Sequence, residues 1–291
     1  MHPEEFSYQR AQSIEHAVEL LEQEPDAMLL AGGHGLIPAM KKRELTPETV
    51  VDIGQLNDLR GIRRTNQTVE IGALTTHREV LDSSILAKSV PVIPQTVDHI
   101  TGGRQVHNFA TIGGNIARAH PGYDYEGALL AAGCDVHVQG PDGSRIIPID
   151  EFVRGACSTV LRDADVVTAI EIPTVDGTRA GSYAKRKEPA SGNAIVGVAT
   201  DLHFDSTESD RCRSATIAVN GLQASAIRLT AVEEALIGRQ LDQDTVEEAA
   251  AVAGESVDED AVLDNKKASA EYRRALLDTY VYKSLSSSAK T

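Results

Sequence analysis

Leu30-Ala31-Gly32-Gly33-His34-Gly35-Leu36-Ile37-Pro38 is the stretch on which the reading of this chain turns. A short hydrophobic run over residues 27–31 leads into it as a strand, and residues 36–42 read as a helical turn beyond it. Paired glycines carry no Cβ, so the backbone can take φ > 0 and bring its N–H groups close to a ligand. Successive N–H groups aimed at one point form an anion nest. A helix starting directly after the turn adds partial positive charge from its N-terminus. The plainer reading is a tight strand-to-helix turn without a ligand. Two common phosphate loops are excluded. No Gly-Lys-Ser/Thr follows, as a Walker A loop requires, and no third spaced glycine completes Gly-x-Gly-x-x-Gly.

A second glycine pair, Thr111-Ile112-Gly113-Gly114-Asn115, lies well downstream, again where a strand-like run is expected to give way to a turn. Thr111 adds a hydroxyl and Asn115 an amide, both useful hydrogen-bonding groups. Two such loops, both able to wrap one diphosphate, suggest a dinucleotide held between two lobes. Asp124 follows Pro121-Gly122. Its carboxylate can accept from ribose or ribityl hydroxyls, or can cap a helix starting near Glu126. His34 and His120 flank the glycine segments without the companions a metal site needs, so they are read as orienting loop backbone or touching phosphate. Lys185-Arg186-Lys187 is either a solvated cluster or a source of one cation beside a diphosphate or an electron-rich ring. Tyr272, Tyr280 and Tyr282 read as packing residues on a docking helix.

Composition narrows the classes further. The 291 residues suffice for two or three small domains, and with no Trp and 4% aromatics the cores must be aliphatic. No apolar run approaches the ~20 residues that span a bilayer. The start Met1-His2-Pro3-Glu4-Glu5-Phe6 is acidic and lacks a signal-peptide h-region, so a cytoplasmic location is expected. A net charge of −15 argues against nucleic acid as ligand. Arg outnumbers Lys by 19 to 9, and an acid-rich, Lys-poor surface suits a high-salt cytoplasm. Cys134, Cys157 and Cys212 are widely spaced and odd in number, so they read as buried thiols rather than a disulfide framework. They cannot supply the usual four Cys ligands of an iron–sulfur cluster.

The order of elements is that of a small α/β unit followed by mixed structure. A helix is expected over residues 13–24 with Ser13 as N-cap, and strands over 27–31 and 50–53. Paired strands are expected at 61–64 and 68–72, helices at 76–81 and 84–97, the second interrupted around Pro91 and Pro94, and a short helix at 127–132. A hairpin turns at Gly140-Pro141-Asp142-Gly143-Ser144. A strand over 166–172 ends at Pro173, and turn chemistry near 174–179 marks a boundary. Antiparallel strands at 194–204 and 214–222 flank the polar loop Asp205 to Arg213. Helices follow at 230–236, 244–253 and 269–285.

Several of these segments together resemble the FAD-binding (medium) subunits of molybdenum hydroxylases of the carbon monoxide dehydrogenase and xanthine dehydrogenase type. Ala31 to Pro38 is similar to their A-G-G-H-S-L-I-P, with Gly35 in place of Ser. Thr111 to Asn115, Ala117, Pro121 and Asp124 resemble T-I-G-G-N followed by A and P-x-x-D. Ile71 to His77 is similar to I-G-A-x-T-T-H, and Val166 to Pro173 resembles the strand closing the FAD region.

The resemblance implies an α+β protein with a two-domain FAD-binding fold and a C-terminal three-stranded antiparallel sheet with helices. The units would be an α/β subdomain at 1–56, a larger α+β subdomain at 57–175, and the C-terminal sheet and helices at 176–291. It implies FAD clasped at its diphosphate by Gly32, Gly33, His34, Gly35 and Leu36 on one side and by Thr111, Ile112, Gly113, Gly114 and Asn115 on the other. Asp124 would lie at the ribityl or ribose region, Leu161 near the adenine and Lys185 near the flavin. It implies an electron-transfer subunit with no acid–base catalyst of its own. Its partners would be an iron–sulfur subunit with [2Fe–2S] centres and a large molybdopterin-binding subunit. A free-standing FAD oxidase of the vanillyl-alcohol type and a non-catalytic assembly protein are the alternatives. The chain departs from the pattern at His107 (for Arg), at Ala110 (for Gly), at Ala117-Arg118-Ala119-His120 (for A-H-x-D) and at Ser191-Gly192-Asn193-Ala194 (for G-D-Y-A). In relatives the Tyr of that last motif covers one face of the isoalloxazine, and Asn193 cannot stack comparably.

Overall fold

The computed structural model describes residues 2–205 and 211–288. Three strands form the first sheet in the order Ser7–Arg10, Thr49–Asp52, Ala27–Leu30, all parallel. Helix Ile14–Gln23 crosses between them. Ser13 starts it by accepting the His16 N–H at 3.1 Å, and Ala17, Val18, Leu20 and Leu21 face inward. Ser7–Arg10 is an edge strand not expected from the sequence, because its exposed polar residues carry no apolar period.

The second sheet is antiparallel and five-stranded. Its spatial order is Ile62–Arg64, Thr68–Gly72, Val166–Pro173, Asp135–Gly140, Gly143–Pro148. Val69, Ile71, Val136, Val138, Ile170 and Ile172 project from it onto helices Val92–Asp98 and Tyr125–Ala132. The interruption expected within 84–97 falls at Pro91, which breaks the hydrogen-bonding ladder and leaves two helices, Ser84–Ser89 and Val92–Asp98, while Pro94 sits inside the second.

The third sheet carries three long antiparallel strands, Thr178–Lys187, Ala194–Phe204 and Cys212–Asn220, with the two-residue Ile227–Arg228 as a fourth. The polar loop expected over Asp205 to Arg213 falls largely on 206–210, outside the described residues. One face of this sheet meets the helices of the middle unit, through Tyr183, Ala199 and Ala218. The other face is covered by helices Thr230–Leu236, Gln243–Ala251 and Ala270–Ser288. Tyr280 and Tyr282 pack there, while Tyr272 is exposed. Thr178–Lys187 lacks an apolar run because three of its four buried positions, Ala180, Gly181 and Ser182, are small, and Tyr183 is the fourth. A Cβ on Gly181 would stand 2.5 Å from the Val92 nitrogen.

Arg179 fastens this sheet to the middle unit. Its buried guanidinium grips Asp201 with two bonds of 2.8 Å and donates to Pro173 O at 3.0 Å and Ala132 O at 3.2 Å. Glu126 makes a second link, accepting the Ala226 N–H at 2.6 Å through Oε1, while its buried Oε2 has no partner. Burial pushes this carboxyl up to about 7. A raised folded-state value favours the protonated fold, so stability from Glu126 is complete below its unfolded value and is lost as pH climbs through about 7. Glu126→Gln should therefore melt with the parent near pH 4 and above it at pH 8.5, by about 3 kcal/mol. Identical melting of the two proteins at pH 8.5 would contradict a buried ionisable Glu126.

Candidate functional site

The two glycine segments meet in one cleft of about 670 Å³ between the first sheet and the middle unit. The backbone of 73–77 holds the second segment. Ala73 O accepts from Gly113 N–H at 2.9 Å, Thr75 O from Ile112 N–H at 3.1 Å, and Ala110 O from His77 N–H at 3.0 Å. Thr76 and Glu79 form a reciprocal capping box that fixes the start of the next helix. The motif residues 71–77 thus matter as a rail for residues 110–113.

Thr111 to Asn115 is not a loop. Thr111 is the N-cap of helix Ile112–Arg118, accepting the Gly114 N–H through Oγ1 at 3.3 Å. The Asn115 N–H returns to Thr111 O at 3.0 Å. Every N–H from Ile112 to Asn115 therefore has a partner within the chain, and Gly114 holds the weakest of them. Gly113 is required by packing, since a Cβ there would lie 2.6 Å from the Ala73 Cβ. The sequence had suggested φ > 0 at both pairs, yet only Gly33, with φ of 74°, adopts it.

The first segment is the open one. Among the described residues, the backbone N–H groups of residues 32–36 donate to no protein acceptor, and the ladder of helix Leu36–Lys42 begins with Ile37 N–H to Gly33 O at 3.0 Å. Five successive N–H groups without a protein acceptor therefore belong to residues that line the cleft, and free donors of this kind are what an anion nest is made from. Gly32 must be glycine for a different reason. A Cβ there would stand 1.9 Å from Phe109 O, so the segment lies flush against residues 109–110 of the other lobe. His34 Nδ1–H donates to Gly32 O at 3.1 Å, and its ring stacks on Phe109.

Of the residues expected at the site, Gly32, Gly33, His34, Gly35, Leu36, Thr111, Gly113, Gly114, Asn115, Asp124 and Leu161 line this cleft. Ile112 does not; its side chain is buried beneath the helix. Lys185 does not line it either. Its buried ammonium donates to Asp124 Oδ2 at 2.7 Å and to Gly192 O at 3.0 Å. Asp124 sits before helix Tyr125–Ala132 but makes no capping bond, having αR backbone. Its other oxygen accepts the Tyr183 hydroxyl at 2.6 Å. Burial pushes the Asp124 carboxyl up, and Lys185 and Tyr183 pull it back.

Several lining residues went unrecognised in the sequence, among them His77, Thr101, Arg118, Tyr123 and Cys157. His77 stood inside the quoted 71–77 motif. Burial, aided by His107 and His34, drives it down to about 3, so its imidazole is neutral. Its Nδ1 lies 3.3 Å from the buried Tyr125 hydroxyl. Cys134 and Cys212 are buried as expected, whereas Cys157 is exposed on a left-handed turn with φ of 56°.

Comparison with known proteins places this architecture. The family model described as the FAD binding domain in molybdopterin dehydrogenase matches residues 4–175, and that described as the CO dehydrogenase flavoprotein C-terminal domain matches residues 180–288. The chain belongs to the family of FAD-binding medium subunits of molybdenum hydroxylases, whose members are oxidoreductase subunits. It is 33% identical to the carbon monoxide dehydrogenase medium chain of Hydrogenophaga pseudoflava, over 98% of this chain and 97% of that one. It is 31% identical to the glyceraldehyde dehydrogenase medium chain of Sulfolobus acidocaldarius, over 97% and 98% respectively. A solved structure of carbon monoxide dehydrogenase from H. pseudoflava superposes with a TM-score of 0.90 at 32% identity, covering 99% of this chain and 98% of that chain.

Proposed function

We propose that this chain holds FAD in the cleft and acts as the electron-transfer subunit of a multi-subunit molybdenum hydroxylase. Electrons would arrive from iron–sulfur centres of a partner chain, and substrate would be oxidised at a large molybdopterin-binding subunit. They would leave to an external acceptor, and the complex would work in the cytoplasm. Among the described residues no helix is long and apolar enough to cross a membrane.

The observation that carries this reading is the run of free N–H groups at residues 32–36, which line a cleft whose other wall is the Thr111-capped helix. FAD, when bound, supplies the exchange between one-electron and two-electron chemistry. The chain's own residues bind and orient. Residues 32–36 receive the diphosphate, with Gly113, Gly114 and the Asn115 amide opposite. Asp124, held by Lys185 and Tyr183, offers one face of its carboxylate to hydroxyls of the cofactor, and Leu161 gives an apolar wall at the adenine end. Lys185 acts through Asp124 and Gly192 rather than by touching the cofactor. We assign the units 1–56, 57–175 and 176–291, with Arg179 as the fastening between the last two.

The test is flavin content. The complex purified through a tag on this chain should show the visible absorbance of oxidised flavin and release one FAD per copy on denaturation. A complex that is folded and complete yet free of flavin would refute the reading.

A further inference from the structure

Resting on that reading, we propose that Tyr123, backed by His120, supplies the aromatic wall at the flavin-ring end of the cleft, in the place that Asn193 cannot fill. The loop bearing Asn193 is pinned on both sides. Lys185 Nζ donates to Gly192 O at 3.0 Å, and a Cβ on Gly192 would stand 1.8 Å from Thr101 Oγ1. Asn193 therefore lines the cleft from a fixed backbone, and its side-chain amide makes no hydrogen bond to the described residues.

The segment beside it brings an aromatic ring. Ala194 N–H donates to Gly122 O at 2.9 Å, and a Cβ on Gly122 would lie 3.1 Å from the Asn193 Cβ. Tyr123, next in sequence, lines the same cleft. Its ring stacks on His120 with centroids 4.8 Å apart and planes at 26°. Aromatic pairs in this range attract beyond their buried area. The turn is tied twice, by Tyr123 N–H to His120 O at 2.8 Å and by Gly122 N–H to His120 Nδ1 at 3.0 Å. Since Nδ1 accepts, the imidazole proton sits on Nε2 and the ring is neutral. Burial, with Lys267 and Arg118 nearby, keeps it so by pulling its pKa down. Burial likewise pushes the Tyr123 phenol up, so it stays un-ionised. Tyr123 O accepts from Asn220 Nδ2 at 3.0 Å, and Asn220 Oδ1 lies 3.0 Å from the Tyr183 hydroxyl that holds Asp124. The Tyr123 backbone is thus tied to the same buried network as Asp124, and the ring is held by its stack on His120.

Flavin fluorescence reads this contact directly, because a phenol ring stacked on an isoalloxazine quenches its emission and an aliphatic side chain does not. The assembled complex is compared with its Tyr123→Leu, Tyr123→Phe and Tyr123→Trp variants at equal flavin content. Emission per flavin should rise severalfold in Tyr123→Leu and Tyr123→Phe and stay quenched in Tyr123→Trp, while Asn193→Ala should emit like the parent. Should Tyr123→Leu lose its flavin, the shape-conserving Phe variant decides. Parent-like emission from Tyr123→Phe with flavin bound, or a rise in Asn193→Ala alone, would overturn the assignment. A parent complex that never contained flavin would instead sink the proposed function, and this inference with it.

Discussion

Gly32→Ala is expected to strip the chain of its cofactor and to lower its stability by about 3 kcal/mol, the upper end for forcing extra volume into a packed site. The added methyl would lie 1.9 Å from Phe109 O and 2.8 Å from the Phe109 carbonyl carbon, and neither atom belongs to a side chain that can turn away. Relief requires the first sheet to retreat from residues 109–110, which widens the cleft and disperses the N–H groups of residues 32–36. Gly35→Ala is the control. Gly35 has φ of −91° and nothing within 4 Å of its Cβ position, so the change should cost no more than about 0.5 kcal/mol and leave flavin content intact. Thermal melting and bound FAD measured on both variants check the contrast. Equal behaviour of the two would mean that the glycines serve the turn alone and not the approach of the lobes.

Lys185→Met carries the second large effect. It leaves the Asp124 carboxyl buried with only the Tyr183 hydroxyl beside it, and it frees Gly192 O from its donor. Breaking a buried pair by removing one partner costs about 3–5 kcal/mol, whereas replacing both by neutral groups of similar volume is nearly neutral. Asp124→Asn combined with Lys185→Met should therefore recover most of the stability that Lys185→Met loses. The four proteins of this cycle, melted under one condition, give the coupling between the residues. A coupling below about 0.5 kcal/mol would fit independent sites and refute the pair. Flavin content should fall with Lys185→Met even though Lys185 is absent from the cleft wall, because both Asp124 and the Asn193 loop shift.

The elements easiest to read in the sequence were those whose burial writes a period. Helices Ile14–Gln23, Leu36–Lys42 and Thr230–Leu236 and strand Val166–Pro173 are of this kind. Strand Thr178–Lys187 left no such trace, since its buried residues Ala180, Gly181 and Ser182 are small and stand consecutively with Tyr183, which writes no alternation. Helix Gly103–Phe109 was also illegible, because it buries none of its residues. At the site, the glycine motifs announced a ligand segment but not their division of labour. Gly32 and Gly113 serve the approach of neighbouring backbone, while the free donors belong to the first segment alone. Asp124 was legible as a polar residue of the site, but its partners Tyr183 and Lys185 lie far away in the chain, and only the third sheet brings them together.

The sequence by itself determined the family of folds and the kind of ligand, because short motifs encode local backbone: a strand, a glycine turn, a capped helix. Tertiary structure alone decided which N–H groups are free, which glycines are steric necessities, and that Lys185 holds Asp124 instead of lining the cleft. It also decided that Tyr123 and Asn193 line one cleft, from segments distant in the chain. Those properties depend on what lies across a gap between segments distant in the chain, and no local pattern of residues records the far side of a contact.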